Sequence, residues 1–66
     1  MEIYVNGEPR DIPAHSTVAQ LIETLQLTSR RTAVEINREI VPRGDYSQRQ
    51  LQPGDRVEIV HAIGGG

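Results

Sequence analysis

The chain has 66 residues, which is enough for one domain. A domain of this size buries only about 60 % of the surface that its unfolded chain exposes, so little room remains for an interior catalytic cleft. It contains no cysteine, which excludes disulfides, zinc–thiolate sites, iron–sulfur clusters and a cysteine persulfide, and its net charge of −2, with seven arginines spread along the chain, argues against a nucleic-acid-binding surface.

No segment of the sequence has the character of a membrane span or a secretion signal. No apolar run approaches the roughly 20 residues that cross a bilayer, and no basic segment followed by an apolar one stands at the N-terminus. The two histidines lie far apart without metal-ligand spacing, so no metal site is expected. A soluble cytoplasmic protein that acts on neither membranes nor nucleic acids is expected.

The chain opens with a predicted β-hairpin. Apolar residues alternate with Glu2 and Tyr4 in the period-two pattern of a half-buried strand, at Met1, Ile3 and Val5. Asn6-Gly7 favours the two-residue turn whose positive φ angles match strand twist. A second strand is predicted over residues 8–12, and Pro9 places it at a sheet edge because proline donates no ladder hydrogen bond.

One convincing helix follows. Thr17 and Gln20 form a capping-box pattern at its start. Apolar residues then recur at the spacing of one helix face, at Val18, Leu21, Ile22 and Leu25. The pattern ends near Leu27, and residues 28–31 are predicted to form a connection.

The second half of the chain predicts short strands. Val34 and Ile36 alternate around Glu35, residues 37–38 can turn the chain, and Ile40-Val41 continues as a strand that Pro42 stops. Residues 43–50 form a loop or single helical turn that Leu51 anchors to the core. Residues 52–55 are a turn, and the last strand runs from Arg56 to about Ala62, with Val57 and Ile59 facing inward.

These elements predict an α+β fold in which a mixed sheet of four to five strands packs on one helix. The first hairpin is antiparallel, and the long return path lets the last strand lie parallel to the first. We expect the helix stripe to pack on six sheet residues, Ile3, Val5, Val34, Ile36, Val57 and Ile59.

The sequence offers no convincing catalytic residues. His15 adjoins Ser16, but neighbouring residues rarely reach the geometry of a nucleophile and its base. The only run of glycines opens no helix, so no phosphate-binding loop is expected. We therefore expect a protein that is not itself an enzyme and binds no cofactor of its own.

The glycine run Gly64-Gly65-Gly66 is the most informative feature of the sequence. Glycines lose the most conformational entropy on ordering and pack no side chain, so they do not stabilise the fold. Because a glycine segment has no side chains, it can enter a narrow channel of another protein. An extended segment from Ala62 to Gly66 reaches roughly 17 Å. We predict a domain over residues 1–63 and a flexible tail over residues 64–66, whose carboxylate a partner could activate with ATP and convert to a thiocarboxylate.

Four stretches of the chain resemble the sulfur carriers of thiamine biosynthesis, the ThiS family of the ubiquitin-like β-grasp group. They are residues 1–7 (MEIYVNG), 16–22 (STVAQLI), 34–43 (VEINREIVPR) and 51–60 (LQPGDRVEIV). The Pro-Gly-Asp turn, last strand and terminal glycines are shared with the small subunit of molybdopterin synthase. The stretch around Asn37 and residues 41–43, together with the short length, indicates the thiamine branch.

The resemblance implies a β-grasp fold and three partners. These are an adenylating enzyme related to ubiquitin activators, a persulfide sulfur donor, and the thiazole synthase that accepts the sulfur. It also implies that Gly65 and Gly66 are the functional glycines, with Gly66 as the adenylated and sulfur-carrying residue and Gly64 as a variation that lengthens the stem.

A docking surface for the partner is predicted around the root of the tail. Apolar residues continue there beyond what the core requires, at Val60, Ala62 and Ile63, with Arg56 and His61 on the rim. Three alternatives remain at this stage: a molybdopterin-synthase small subunit, a ubiquitin-like protein modifier and a plain β-grasp binding module. The absence of lysine weighs against a tag that builds chains on itself.

Overall fold

The computed structural model describes residues 1–25 and 32–61, with only the backbone described at His61. In chain order it contains β1 (Glu2–Val5), β2 (Glu8–Asp11), α1 (Val18–Thr24), β3 (Thr32–Ile36), β4 (Glu39–Val41), a 3₁₀ turn (Arg43–Asp45) and β5 (Arg56–His61). The predicted boundary between residues 63 and 64 lies outside the described residues.

The five strands form one mixed sheet in the order β2-β1-β5-β3-β4. Strand β5 runs parallel to β1 and antiparallel to β3, while the two outer pairs are antiparallel hairpins. Helix α1 packs on one face of this sheet. The predicted α+β β-grasp architecture is confirmed, and so is the placement of Pro9 in an edge strand.

The Asn6-Gly7 turn has the backbone that its sequence favours, and the Asn37-Arg38 turn has a similar backbone although arginine seldom adopts a positive φ. The φ angles are 51° at Asn6 and 84° at Gly7, and 51° at Asn37 and 71° at Arg38. Positive φ at both central residues gives a two-residue turn whose twist matches that of the flanking strands. The prediction of two tight turns is confirmed.

The helix begins at the predicted capping box and ends earlier than predicted. Thr17 Oγ1 accepts the Gln20 N–H at 3.2 Å, and Gln20 Oε1 accepts the Thr17 N–H at 2.8 Å. The last helical residue is Thr24, with Leu25 as C-cap, whereas the pattern predicted an end near Leu27. The apolar stripe stops at Leu25 because the next positions on its face, 28 and 29, are polar.

The core lies between the helix stripe and the inner face of the sheet. Its members are Ile3, Ile12, Val18, Leu21, Ile22, Val34, Ile36, Val41, Leu51, Val57 and Ile59. Val5 and Leu25 are partly buried and pack against this cluster, so the predicted packing of the helix stripe against six sheet residues is confirmed. Ile12, predicted inside the second strand, follows β2 directly and is still buried.

The segment after β4 closes the amino end of the helix. The predicted single helical turn is present over Arg43–Asp45, and Leu51 is 2 % exposed, as its predicted anchoring role requires. Carbonyl oxygens of Arg49 and Tyr46 accept the N–H groups of Val18 and Ala19 at 3.0 and 2.9 Å. The segment thus satisfies two helix N–H groups that have no partner within the helix.

Candidate functional site

Strand β5 is the element that positions the predicted tail. It lies between β1 and β3, and its last residue, His61, pairs with Thr32 at the start of β3. Because β1 and β5 are parallel, the carboxyl end of β5 lies at the end of the sheet that carries the Asn6-Gly7 turn. The predicted site residues Ala62, Ile63, Gly64, Gly65 and Gly66 fall outside the described residues.

The face of the sheet opposite the helix carries exposed apolar side chains near the end of β5. Val60 is 54 % exposed and pairs across the strands with the exposed Ala33. Ile40, in the outer strand, is 72 % exposed and lies opposite Glu35 on the same face. Val60 and Ala33 thus form a small apolar pair on this face, and Ile40 lies one row away beside Glu35.

Arg56 lies on the same face at the opposite end of β5. It is exposed and pairs with Tyr4, which is 36 % exposed. Val60 lies four positions further along the strand, at a distance of about 13 Å. Val60 and Arg56 therefore share one face of the sheet, and Glu58 lies between them. The side chain of His61, the other predicted rim residue, is not among those that the structure describes.

A buried carboxylate fixes the amino end of β5. Asp55 is 8 % exposed, and its Oδ2 accepts the Gln52 N–H at 2.8 Å while its Oδ1 accepts from Asn37 Nδ2 at 3.1 Å. Asn37 Oδ1 in turn accepts the Arg56 N–H at 3.1 Å. The predicted turn at residues 52–55 is thus joined to the second hairpin turn through side chains.

An amide side chain fixes the other end of β5. Asn6 Oδ1 accepts the Ile59 N–H at 2.8 Å, and Asn6 Nδ2 donates to the Ile59 carbonyl oxygen at 3.3 Å. Sequence reasoning identified Asn6 only as a turn residue and missed this contact. The one sequence signal was that asparagine, unlike glycine in the same turn position, carries both a donor and an acceptor.

The structure also describes His15 and Ser16, the pair that the sequence did not favour as a nucleophile and its base. The Ser16 hydroxyl donates to the Pro13 carbonyl oxygen at 2.6 Å, and the adjacent His15 is exposed with a φ of 67°. Residues 1–25 and 32–61 contain no group of three or more side chains arranged to hold a metal ion. Helix α1 falls far short of the length and apolarity that a bilayer-spanning helix requires.

Comparisons with known proteins agree on one family. The profile of the ThiS family matches residues 3–66. The chain is 35 % identical to the sulfur carrier protein ThiS of Escherichia coli over the full length of both chains. A crystal structure of the thiamine biosynthesis protein ThiS of Geobacter metallireducens superposes with a TM-score of 0.87 at 29 % identity, covering all of both chains.

Longer relatives contain a region like this chain. The thiazole synthase of Paramagnetospirillum magneticum is 47 % identical over all 66 residues. The chain spans only 20 % of the length of that protein, and the same fraction of a second thiazole synthase from Magnetococcus marinus. Each of these two proteins, which are named thiazole synthase, therefore contains a region similar to this whole chain within a longer polypeptide.

Proposed function

The chain belongs to the ThiS family, and from that membership we propose that it is a sulfur carrier of thiamine biosynthesis that holds sulfur as a thiocarboxylate on Gly66. The observation that carries the proposal is the family match over residues 3–66, which includes all three terminal glycines. The full-length similarity to the sulfur carrier of Escherichia coli supports the same function.

The proposed chemistry takes place on the carboxylate of Gly66. A partner transfers AMP from ATP to this carboxylate and releases pyrophosphate, which turns a poor electrophile into an acyl-adenylate. The terminal sulfur of a persulfide donor then attacks the carbonyl carbon, and AMP leaves. A second thiol attacks the donor-side sulfur of the resulting acyl disulfide, so that the thiocarboxylate is released and a disulfide forms.

The chain's own contribution in this proposal is presentation of the reacting group. Strand β5 ends at His61, and the five residues that follow can reach roughly 17 Å when extended. Glycine at positions 64–66 gives a stem without side chains that fits a narrow channel. Activation and transfer belong to the partners, so we propose that the chain is a co-substrate and not a catalyst.

The proposed docking surface for the adenylating partner includes the exposed face at the end of β5. Val60 and Ala33 offer adjacent apolar side chains there, whereas Arg56 lies on the same face at the opposite end of β5 and could only contact the outer part of such a partner surface. The adenylating partner is proposed to resemble ubiquitin activators. Burial of Val60 against it would remove from water an apolar group that the folded domain leaves exposed.

We propose a thiazole synthase as the acceptor of the sulfur. Two relatives named thiazole synthase contain a region similar to this whole chain, which supports a working association between the two activities. The chemistry is assigned to the cytoplasm because the activating partner consumes ATP.

The proposal is tested by the mass of the protein after incubation with the adenylating enzyme, MgATP and a persulfide donor. The chain should exchange one oxygen for one sulfur, and the change should map to the C-terminal peptide. Gly65→Val should block it because a branched side chain would meet the channel wall. Gly44→Val is the matched control, since an added Cβ at this exposed turn residue meets nothing within 4 Å.

Two results would contradict the proposal. One is an unchanged mass with all partners active on another carrier. The other is a native protein in which Gly66 is followed by further residues, because no free carboxylate would then be available at Gly66.

A further inference from the structure

Strand β5 extends beyond the end of its neighbour β1, towards the tail. The parallel pairing of the two strands covers only Tyr4 with Arg56 and Val5 with Val57. At the next position the chain turns, and the Asn6 N–H makes the last backbone hydrogen bond of this ladder, to the Val57 carbonyl oxygen at 2.8 Å. Beyond Val57, no strand within residues 1–25 and 32–61 lies beside the edge of β5 that faces β1.

The side chain of Asn6 takes over at this point. Its Oδ1 accepts the Ile59 N–H and its Nδ2 donates to the Ile59 carbonyl oxygen, at 2.8 and 3.3 Å. A carboxamide has the same donor and acceptor as a peptide group, so the side chain stands in for the peptide unit that β1 would supply if it continued. The turn directs the backbone of Asn6, with its φ of 51°, into the hairpin instead.

The turn alone does not require asparagine at this position. Aspartate and glycine also suit the first position of such a turn, but aspartate offers only acceptors and glycine offers no side chain. Only the amide satisfies both backbone groups of Ile59. Asn6 is thus bonded to Ile59, which is 53 positions away in the sequence. Ile59 lies two residues before the end of β5.

We propose that Asn6 is a positioning residue that fixes the root of the sulfur-carrying tail. The proposal rests on the proposed function, since it concerns the placement of Gly66 in a partner's active site. Both edges of β5 are bonded as far as Ile59, so the backbone from which the tail continues is held in one position up to that residue. Reaction rates fall about a hundredfold when a reacting group is misplaced by about 1 Å, so a loosened root should slow the chemistry at Gly66.

Asn37 provides a matched control within the same chain. It has the same φ of 51° in an equivalent turn, and its Oδ1 also accepts a β5 N–H, that of Arg56, at 3.1 Å. Asn37 acts at the amino end of β5, and Asn6 acts near the carboxyl end. Loss of either amide side chain should lower the free energy of unfolding, but only loss of the Asn6 amide should change the rate of sulfur incorporation at Gly66.

The test compares Asn6→Gly with Asn37→Gly, because glycine tolerates the turn and removes only the side chain. Amide hydrogen exchange should accelerate at Ile59 in the first variant and at Arg56 in the second. In the sulfur-incorporation assay, Asn6→Gly should lower kcat about tenfold or more with KM changed less than about threefold. Asn37→Gly should leave both constants within about twofold of the wild type. Asn6→Asp, which keeps the acceptor for the Ile59 N–H, should recover part of the loss in kcat.

Each outcome has a distinct meaning. A wild-type chain that gains no sulfur contradicts the proposed function. A wild-type chain that gains sulfur overturns only the role of Asn6 if Asn6→Gly keeps its kcat while exchange at Ile59 accelerates. Equal losses of kcat in the two glycine variants would also overturn it, because they would reflect general destabilisation.

Discussion

Leu21 is the side chain whose truncation tests the packing of the helix on the sheet most sharply. It is 2 % exposed and belongs to the core cluster on the inner side of α1. Leu21→Ala removes three buried carbons, worth about 0.8 kcal/mol each, or about 2.4 kcal/mol in lost transfer free energy. The cavity left behind adds to this, so we expect a loss of about 2–5 kcal/mol in the free energy of unfolding.

This loss is large compared with the stability of the whole domain. At about 0.05–0.15 kcal/mol per residue, a chain of 66 residues has a free energy of unfolding of about 3–10 kcal/mol. With an m-value near 1 kcal/mol per molar urea, the unfolding midpoint should fall by about 2 M or more. Equilibrium urea unfolding, followed by circular dichroism, measures this shift.

Ile40→Ala is the control for Leu21→Ala. Ile40 is 72 % exposed on the opposite face of the sheet, and its truncation should change the free energy of unfolding by less than about 0.5 kcal/mol. If Leu21→Ala shifts the midpoint no further than Ile40→Ala does, Leu21 is not part of the core and the packing described for α1 is wrong.

Three further predictions address the cap, the buried carboxylate and the docking surface. Thr17→Ala removes the acceptor for the Gln20 N–H and should lower the free energy of unfolding by about 0.5–2 kcal/mol, and an unchanged urea midpoint would contradict the role of the cap. Asp55→Ala leaves the Gln52 N–H and the Asn37 amide without their acceptor and should lower the same quantity by about 1–3 kcal/mol, whereas a loss no greater than that of Ile40→Ala would show that the contacts stabilise little. Val60→Asp should keep the circular dichroism spectrum and urea midpoint of the wild type but raise the Kd for the adenylating enzyme about tenfold or more, and an equal Kd by calorimetry would remove Val60 from the docking surface.

The local features of the fold could be predicted from the sequence because they depend on neighbouring residues. Asn6-Gly7 specifies a tight turn, and Thr17 with Gln20 specifies a helix start, through contacts that span at most three positions. The inward-facing residues of β3 and β5 follow from strict alternation in sequence. The parallel pairing of β5 with β1 was also accessible, because a hairpin followed by a long connection permits a parallel last strand, whereas the full strand order was not predicted.

The features that sequence reasoning missed depend on contacts between distant residues. The Asn6 side chain is hydrogen-bonded to Ile59, 53 positions away, and the Asn37 side chain to Asp55, 18 positions away. No local sequence pattern predicts either hydrogen bond. The sequence pattern predicts a helix end near Leu27, whereas the helix ends at Thr24, and the positions that would continue its apolar face after Leu25 are polar. Of the candidate site, Val60 and Arg56 are described on one exposed face, and the role of Gly66 stays a prediction.

The mass of the intact protein after sulfur loading shows most directly whether Gly66 carries the sulfur. Deletion of Gly66 moves the terminal carboxylate by about 3.5 Å along an extended chain, far beyond a reactive geometry. We expect the full chain to exchange one oxygen for one sulfur in its C-terminal peptide, and the truncated chain to keep its mass under the same conditions. A truncated chain that acquires sulfur as fast as the full chain, or a label elsewhere in the sequence, would contradict the claim.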